Sequence, residues 1–248
     1  MNLRGLVDLH CHMLPGLDDG PAEVSEALAM ARMASAFGTG AVVPTPHLDP
    51  GRYDLPANLD HLADAFREAL AQAGVGLTVH APGAEVRWGL HVEERLRHGR
   101  LPTLNRQGER RWFLLELEAR DWPGEALLIR LPQWRDQGYR PILAHPERHN
   151  LLRSHPQWLA SWVQAGGMVQ VTAAAYTGGF GETTRQVAED WLRRGWVHLL
   201  ASDGHGYHHR QPVMADGVRE VAHLAGGSVA ERLGRENALA ILRGEELS

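Results

Sequence analysis

Short apolar runs recur along the chain, separated by longer stretches in which apolar residues return every third or fourth position. The runs fall at Arg4 to Leu9, Ala41 to Val43, Leu77 to His80, Trp112 to Leu115, Pro141 to Ala144, Met168 to Val171 and Val197 to Ala201. Most are continuously apolar rather than alternating, which is the pattern of parallel strands covered on both faces. Between them the spacing predicts amphipathic helices. Over Asp54 to Ala73, the residues Leu59, Leu62, Ala63, Phe66 and Leu70 form one stripe, with Pro56 near the start and Gly74 past the end. Over Glu182 to Arg194 the stripe is Val187, Ala188, Trp191 and Leu192, and Gly195 suits the C-terminal cap. Between Glu125 and Gln137, Pro132 removes a backbone donor, so a kink or a restart is expected there.

Seven strand units, mostly followed by helical patterns and without a shift of composition between them, predict an α/β fold. The expected form is a distorted seven-stranded (β/α)7 barrel of the TIM type, one domain over residues 1–248; an open doubly wound sheet is the alternative. At 248 residues and 44% hydrophobic the chain is long enough for that core. It has no run of about 18 apolar residues and no basic segment leading into an apolar one, so neither a membrane span nor a signal peptide is expected. With a single cysteine as well, a cytoplasmic location is the natural reading.

Charge narrows the chemistry. The net charge is −5 with no basic run, which argues against nucleic acid as a partner. All 25 basic residues are arginine, so Schiff bases, a P-loop lysine and a carbamylated lysine bridging two metals are excluded.

In barrel enzymes the chemistry sits where strands end. The first run leads into His10 and His12, then Asp18 and Asp19, and the second leads through Pro44-Thr45-Pro46 into His47. The third is followed by Glu85, the fourth by Glu116, the fifth by His145, and the seventh by Asp203 and His205. Six of seven exits thus carry His, Asp or Glu. A glutamate such as Glu116, behind Phe113-Leu-Leu, is costly to bury unless it is paired or bound to metal. His10, His12, Asp19, His47, Glu85, Glu116, His145, Asp203 and His205 are too many ligands for one ion, so two or three are expected. Mixed imidazole and carboxylate donors suit Mn, Fe or Zn better than Ca or Mg.

These elements resemble the polymerase and histidinol phosphatase (PHP) superfamily. Within it they are most similar to the bacterial manganese-dependent protein-tyrosine phosphatases of capsule and exopolysaccharide loci. The carriers are Asp8-Leu-His-Cys-His with Asp18-Asp-Gly-Pro, Thr45-Pro-His followed by Gly51-Arg-Tyr, and Gly83-Ala-Glu. Leu115-Glu, Ala144-His-Pro-Glu-Arg, and Ser202-Asp-Gly-His followed by Arg210-Gln-Pro complete the set. The resemblance implies a PHP barrel with a centre of three divalent ions, most often Mn. His10, His12, Glu85, Glu116, His145 and Asp203 would form paired sites with Glu85 as bridge, and Asp19, His47 and His205 the third. Arg148 and Arg210 would grip the phosphate, which suits a planar guanidinium. The chain departs from the family pattern at Gly206 to His209, where His208 and His209 intervene, and at His149.

The expected reaction is hydrolysis of phosphotyrosine in a protein, by a metal-bridged hydroxide attacking in line without a covalent intermediate. The implied partner is the C-terminal tail of a bacterial tyrosine kinase. A small-molecule phosphatase acting on histidinol phosphate, or a phosphodiesterase, is the enzymatic alternative; a catalytically dead phosphotyrosine-binding module is the other. Cys11 is not expected to be a nucleophile, because the residue six positions on is Leu17 rather than arginine and strand alternation turns Cys11 away from both histidines. Trp88 is expected in the core.

Overall fold

In the computed structural model, which describes residues 4–118 and 122–247, every strand pairing is parallel. The seven predicted runs appear as β1 (Leu6–Cys11), β2 (Thr39–Pro44), β4 (Thr78–Val79), β6 (Arg111–Glu116), β7 (Tyr139–Ala144), β8 (Met168–Thr172) and β9 (Leu199–Ala201). The first begins and ends two residues later than the apolar run, so His10 lies inside β1 instead of beyond it.

The seven-stranded barrel needs correction. Two further strands, β3 (His47–Leu48) and β5 (Glu85–Arg87), bring the number among the described residues to nine. They form two sheets, β1-β2-β4 and β3-β5-β6-β7-β8-β9, and no continuous ladder closes them into one barrel. Proline explains the break. Pro44 and Pro46 have no N–H to donate, so the ladder of β2 stops and the chain resumes as β3 in the other sheet; Pro82 interrupts β4 and β5 in the same way. Single bonds stitch the sheets together at these ends. Thr45 N donates to Cys11 O at 2.9 Å, Gly83 N to Pro44 O at 2.9 Å, and Glu85 N to Pro46 O at 3.0 Å. On the other side Asp203 N donates to His10 O and His12 N to Gly204 O, both at 2.8 Å.

Alternate residues of β6 serve two cores, as a strand buried on both faces must. Trp112 and Leu114 pack with Val7, Leu9 and Leu199, while Phe113 and Leu115 pack with Leu143 and Trp134. Trp134 belongs to α4 (Gly124–Asp136), which runs through Pro132 without the expected restart. Trp88 packs against the same cluster, its ring 5.9 Å from that of Trp134. After α1 (Val24–Ala36), α2 (Leu59–Gln72) starts at the first residue of its apolar stripe rather than at Asp54, with Pro56 ahead of the N-cap Asn58; it buries Ala63, Phe66 and Leu70. Beyond α3 (Leu90–Arg97) and α4 come α5 (Asn150–Ser154), α6 (Pro156–Gln164), α7 (Ala173–Tyr176), α8 (Glu182–Arg193), α9 (Ala215–Ala225), α10 (Gly227–Glu231) and α11 (Asn237–Leu242). Among the described residues no helix is long and apolar enough to cross a membrane.

The closest backbone approach between helices is made by α9 on α7. A Cβ at Gly217 would lie 2.1 Å from Ala173 O, a backbone atom with no freedom to yield locally. Gly217→Ala is therefore expected to destabilise the protein by about 3 kcal/mol and lower Tm by about 6–12 °C in a calorimetric melt. An unchanged Tm would show that the helices are free to separate.

Candidate metal centre

β1 delivers His10 from its last turn of pleat and His12 just past its end. Asp8, one face-repeat earlier, braces this strand end: it accepts from Ser202 Oγ at 2.5 Å, Ser202 N at 3.1 Å and His10 N at 3.2 Å. β3 and β5 begin at His47 and Glu85 themselves, which sit side by side in register. Glu116 ends β6, His145 follows β7, and Asp203 and His205 follow β9. All nine predicted ligands thus stand at one end of the sheets.

Glu85 is fully buried at the middle. Its Oε2 lies 3.4 Å from His10 Nε2, 3.3 Å from His12 Nε2 and 3.0 Å from His47 Nδ1, and its Oε1 lies 2.6 Å from His145 Nε2. Three groups of side chains hold ligand atoms close enough to share an ion: His10, His12, Glu85 and Asp203; His12, Asp19, His47 and His205; and His47, Glu85 and Glu116. His12 belongs to two of these, as does His47. His145 belongs to none and pairs with Glu85 through Nε2.

A metal fits these residues for a definite reason. Glu85 Oε2, Asp203 Oδ1 and His205 Nε2 are buried without a hydrogen-bond partner, and Glu116 Oε2 has only its ion pair with Arg87, although buried polar atoms are almost always hydrogen-bonded. The carboxylates also draw protons onto the imidazoles. Against a burial that lowers it, His10 is pushed up to about 9 by Glu85 and Asp203, and His47 reaches about 11 under Asp19 and Glu85. Burial and the neighbouring Glu85 push Glu116 up to about 7. Divalent cations would answer both needs at once, pairing the orphan atoms and letting the imidazoles stay neutral.

The far nitrogens of three histidines are held by other groups, which fixes the nitrogen each presents. His12 Nδ1 pairs with Asp18 Oδ2 at 2.7 Å, His205 Nδ1 with Asp203 O at 3.0 Å, and His10 Nδ1 with Gln170 Oε1 at 2.9 Å. Gln170 was missed by the sequence reading. It stands on β8, the one run without a ligand at its exit, and its signal was a lone amide inside an otherwise apolar strand.

Arg148 and Arg210 both pair with Asp203 Oδ2, leaving Oδ1 facing the histidines. With Arg52, Tyr53 and Arg87 they line a polar cavity of about 150 Å³ over Asp19, His47, Glu116 and His145. Arg87 pairs with Glu116 at 3.1 Å, and the Tyr53 ring stacks on His47 at 5.3 Å. His145, Asp203 and Arg210 are the non-glycine residues with positive φ among those described, at 33°, 51° and 47°. Strained backbone concentrated at one site is a mark of function. Cys11 is fully buried, its Sγ 3.5 Å from Gly204 O, and burial pushes its thiol well above the ordinary range. His149 caps α5 by accepting from Leu152 N, while His208 and His209 are exposed beside Asp19 and Arg210.

Parallel strands ending in a histidine and carboxylate cluster, with arginines above it, define a metal-dependent hydrolase of barrel-like α/β build. Comparison with known proteins makes this specific. The family described as "Capsular polysaccharide synthesis, CpsB/CapC" matches residues 6–243, and the chain belongs to that family. It is 32% identical to tyrosine-protein phosphatase YwqE of Bacillus subtilis over 203 residues, covering 81% of this chain and 77% of the relative. It is 26% identical to tyrosine-protein phosphatase CpsB of Streptococcus pneumoniae, covering 96% and 98%. A solved structure from work on YwqE and CpsB, described as unique metal-dependent tyrosine phosphatases, superposes with a TM-score of 0.91 at 29% identity over 98% of this chain and 96% of that one.

Gln170→Leu is expected to weaken Mn binding by about 10–100-fold in isothermal titration calorimetry, because His10 loses the acceptor that fixes its tautomer. Unchanged affinity would mean that the amide only fills space.

Proposed function

We propose that this protein is a metal-dependent protein-tyrosine phosphatase, a phosphoric monoester hydrolase whose single catalytic domain spans residues 1–248. The observation that carries this reading is the set of orphaned buried ligand atoms, Glu85 Oε2, Asp203 Oδ1 and His205 Nε2, beside a cavity walled by four arginines. Family membership and the activity named for its relatives support it.

His10, His12, Glu85, Glu116, His145 and Asp203 would hold two ions with Glu85 between them, and Asp19, His47 and His205 a third, with Mn the expected metal and Fe or Zn also compatible with the donors. Bound there, divalent ions supply a water of lowered pKa and Lewis-acid neutralisation of phosphoryl oxygens. The chain's own residues do the rest. Arg148 and Arg210 turn from Asp203 Oδ2 toward the phosphoryl oxygens, where planar guanidinium groups can bind two oxygens at once. Asp18 and Gln170 keep His12 and His10 in one orientation throughout. Tyrosinate, with a conjugate pKa near ~10, departs with less protonation than an alkoxide needs, which favours aryl esters. Cys11 takes no part, since it is buried behind the histidines. The proposed substrate is the tyrosine-rich tail of a bacterial tyrosine kinase acting in exopolysaccharide synthesis, met in the cytoplasm.

The test is turnover of phosphotyrosyl peptide, phosphoserine, histidinol phosphate and a phosphodiester by Mn-reconstituted and chelated protein. Phosphotyrosine is expected to be hydrolysed fastest, only with metal. Cys11→Ser should keep most of this activity, and His12→Ala should lose more than about 100-fold. Turnover indifferent to chelation would overturn the metal mechanism, and preference for histidinol phosphate would overturn the substrate.

A further inference from the structure

Next to the polar cavity lies another of about 220 Å³, between the ends of β6 and β7 and the start of α5. The two share Arg87, Glu116, His145 and Arg148, so these side chains form a common wall. Apart from these four, Glu118 and His149, the lining of the larger cavity is apolar. Leu117, Leu143, Pro146 and Leu152 line it, and Leu143 and Leu152 are wholly buried. A cavity of this size is not a packing defect: about 150 Å³ of apolar space is enough to hold benzene. Its width is also fixed. His149 joins the two sides, with Nε2 at 2.7 Å from Glu118 O after β6 and Nδ1 accepting from Leu152 N of α5 at 3.3 Å.

One cavity with four arginines and one with a leucine floor, joined along a shared wall, match the two halves of an aryl phosphate. We propose that the apolar cavity seats the aromatic ring of the substrate's leaving group while the phosphoryl group occupies the polar one. This rests on the phosphatase reading and deepens it, since it places the choice of aryl over alkyl esters in Leu117, Leu143 and Leu152. A seryl or other short alkyl group would leave that floor untouched, and the apolar area buried by a ring is what such a floor rewards.

Binding of two non-hydrolysable probes separates this from the reading beneath it. Phenylphosphonate and methylphosphonate are titrated calorimetrically into the Mn-loaded protein, its Leu152→Phe variant and its Leu152→Ala variant. The unaltered protein should bind the phenyl compound about tenfold or more tightly than the methyl one. Leu152→Phe, which fills the cavity, should bring the ratio to within about twofold, and Leu152→Ala should newly admit naphthylphosphonate. A phenyl-to-methyl ratio near one in the unaltered protein overturns the proposal. So does a ratio unmoved in folded Leu152→Phe, or, where that variant does not fold, Leu152→Ala gaining nothing for the naphthyl probe. Failure of the unaltered protein to bind either phosphonate would instead strike down the phosphatase reading itself.

Discussion

Glu85 is a carboxylate with no exposure to solvent, touching four imidazoles delivered by three different parts of the chain. Burying such a charge costs several kcal/mol unless it is compensated. Burial would raise its pKa, yet His10 and His145 hold it well below the ordinary carboxylate range. The rest of the site follows from this constraint. Asp203 repeats it on the other side of His10, fully buried and held low by His10, Arg148, His145 and Arg210. Two buried carboxylates and their histidines leave Glu85 Oε2 and Asp203 Oδ1 without hydrogen bonds, and with the proposed ions bound there, metal affinity and the stability of this end of the fold would be one quantity.

The backbone achieves the convergence by interrupting its own strands. A continuous β2 would carry His47 along the first sheet, and Pro44 and Pro46 prevent that by ending the ladder. The chain then restarts at His47 beside Glu85, in register, in the second sheet. Positive φ at His145 and Asp203 does the same work at two other strand exits, where the strand stops abruptly and the chain turns. The departure from a regular barrel is therefore what builds the centre.

Much of this was legible in the chain. Strands buried on both faces are written as apolar runs, and a charged residue directly after such a run has nowhere neutral to go, which is why His10, Glu116, His145 and Asp203 stood out. β3 and β5 could not be read, because two or three residues show no period. Nor does linear order say which ligands share an ion: His12 and His47 each fall in two groups, and His145 pairs with Glu85 outside all of them. The resting partners of Arg148 and Arg210 on Asp203, and the grip of Gln170 on His10, are contacts between distant segments for which spacing carries no record. The resemblance named the family, and the CpsB/CapC match over residues 6–243 bears that out.

The central claim is that the orphaned atoms around Glu85 are metal ligands. Anomalous diffraction from crystals grown with Mn tests it directly. Peaks are expected within about 2.2 Å of Glu85 Oε2 and Asp203 Oδ1, with a further one between Asp19, His47 and His205. A map with no anomalous density there, at saturating Mn, would contradict it.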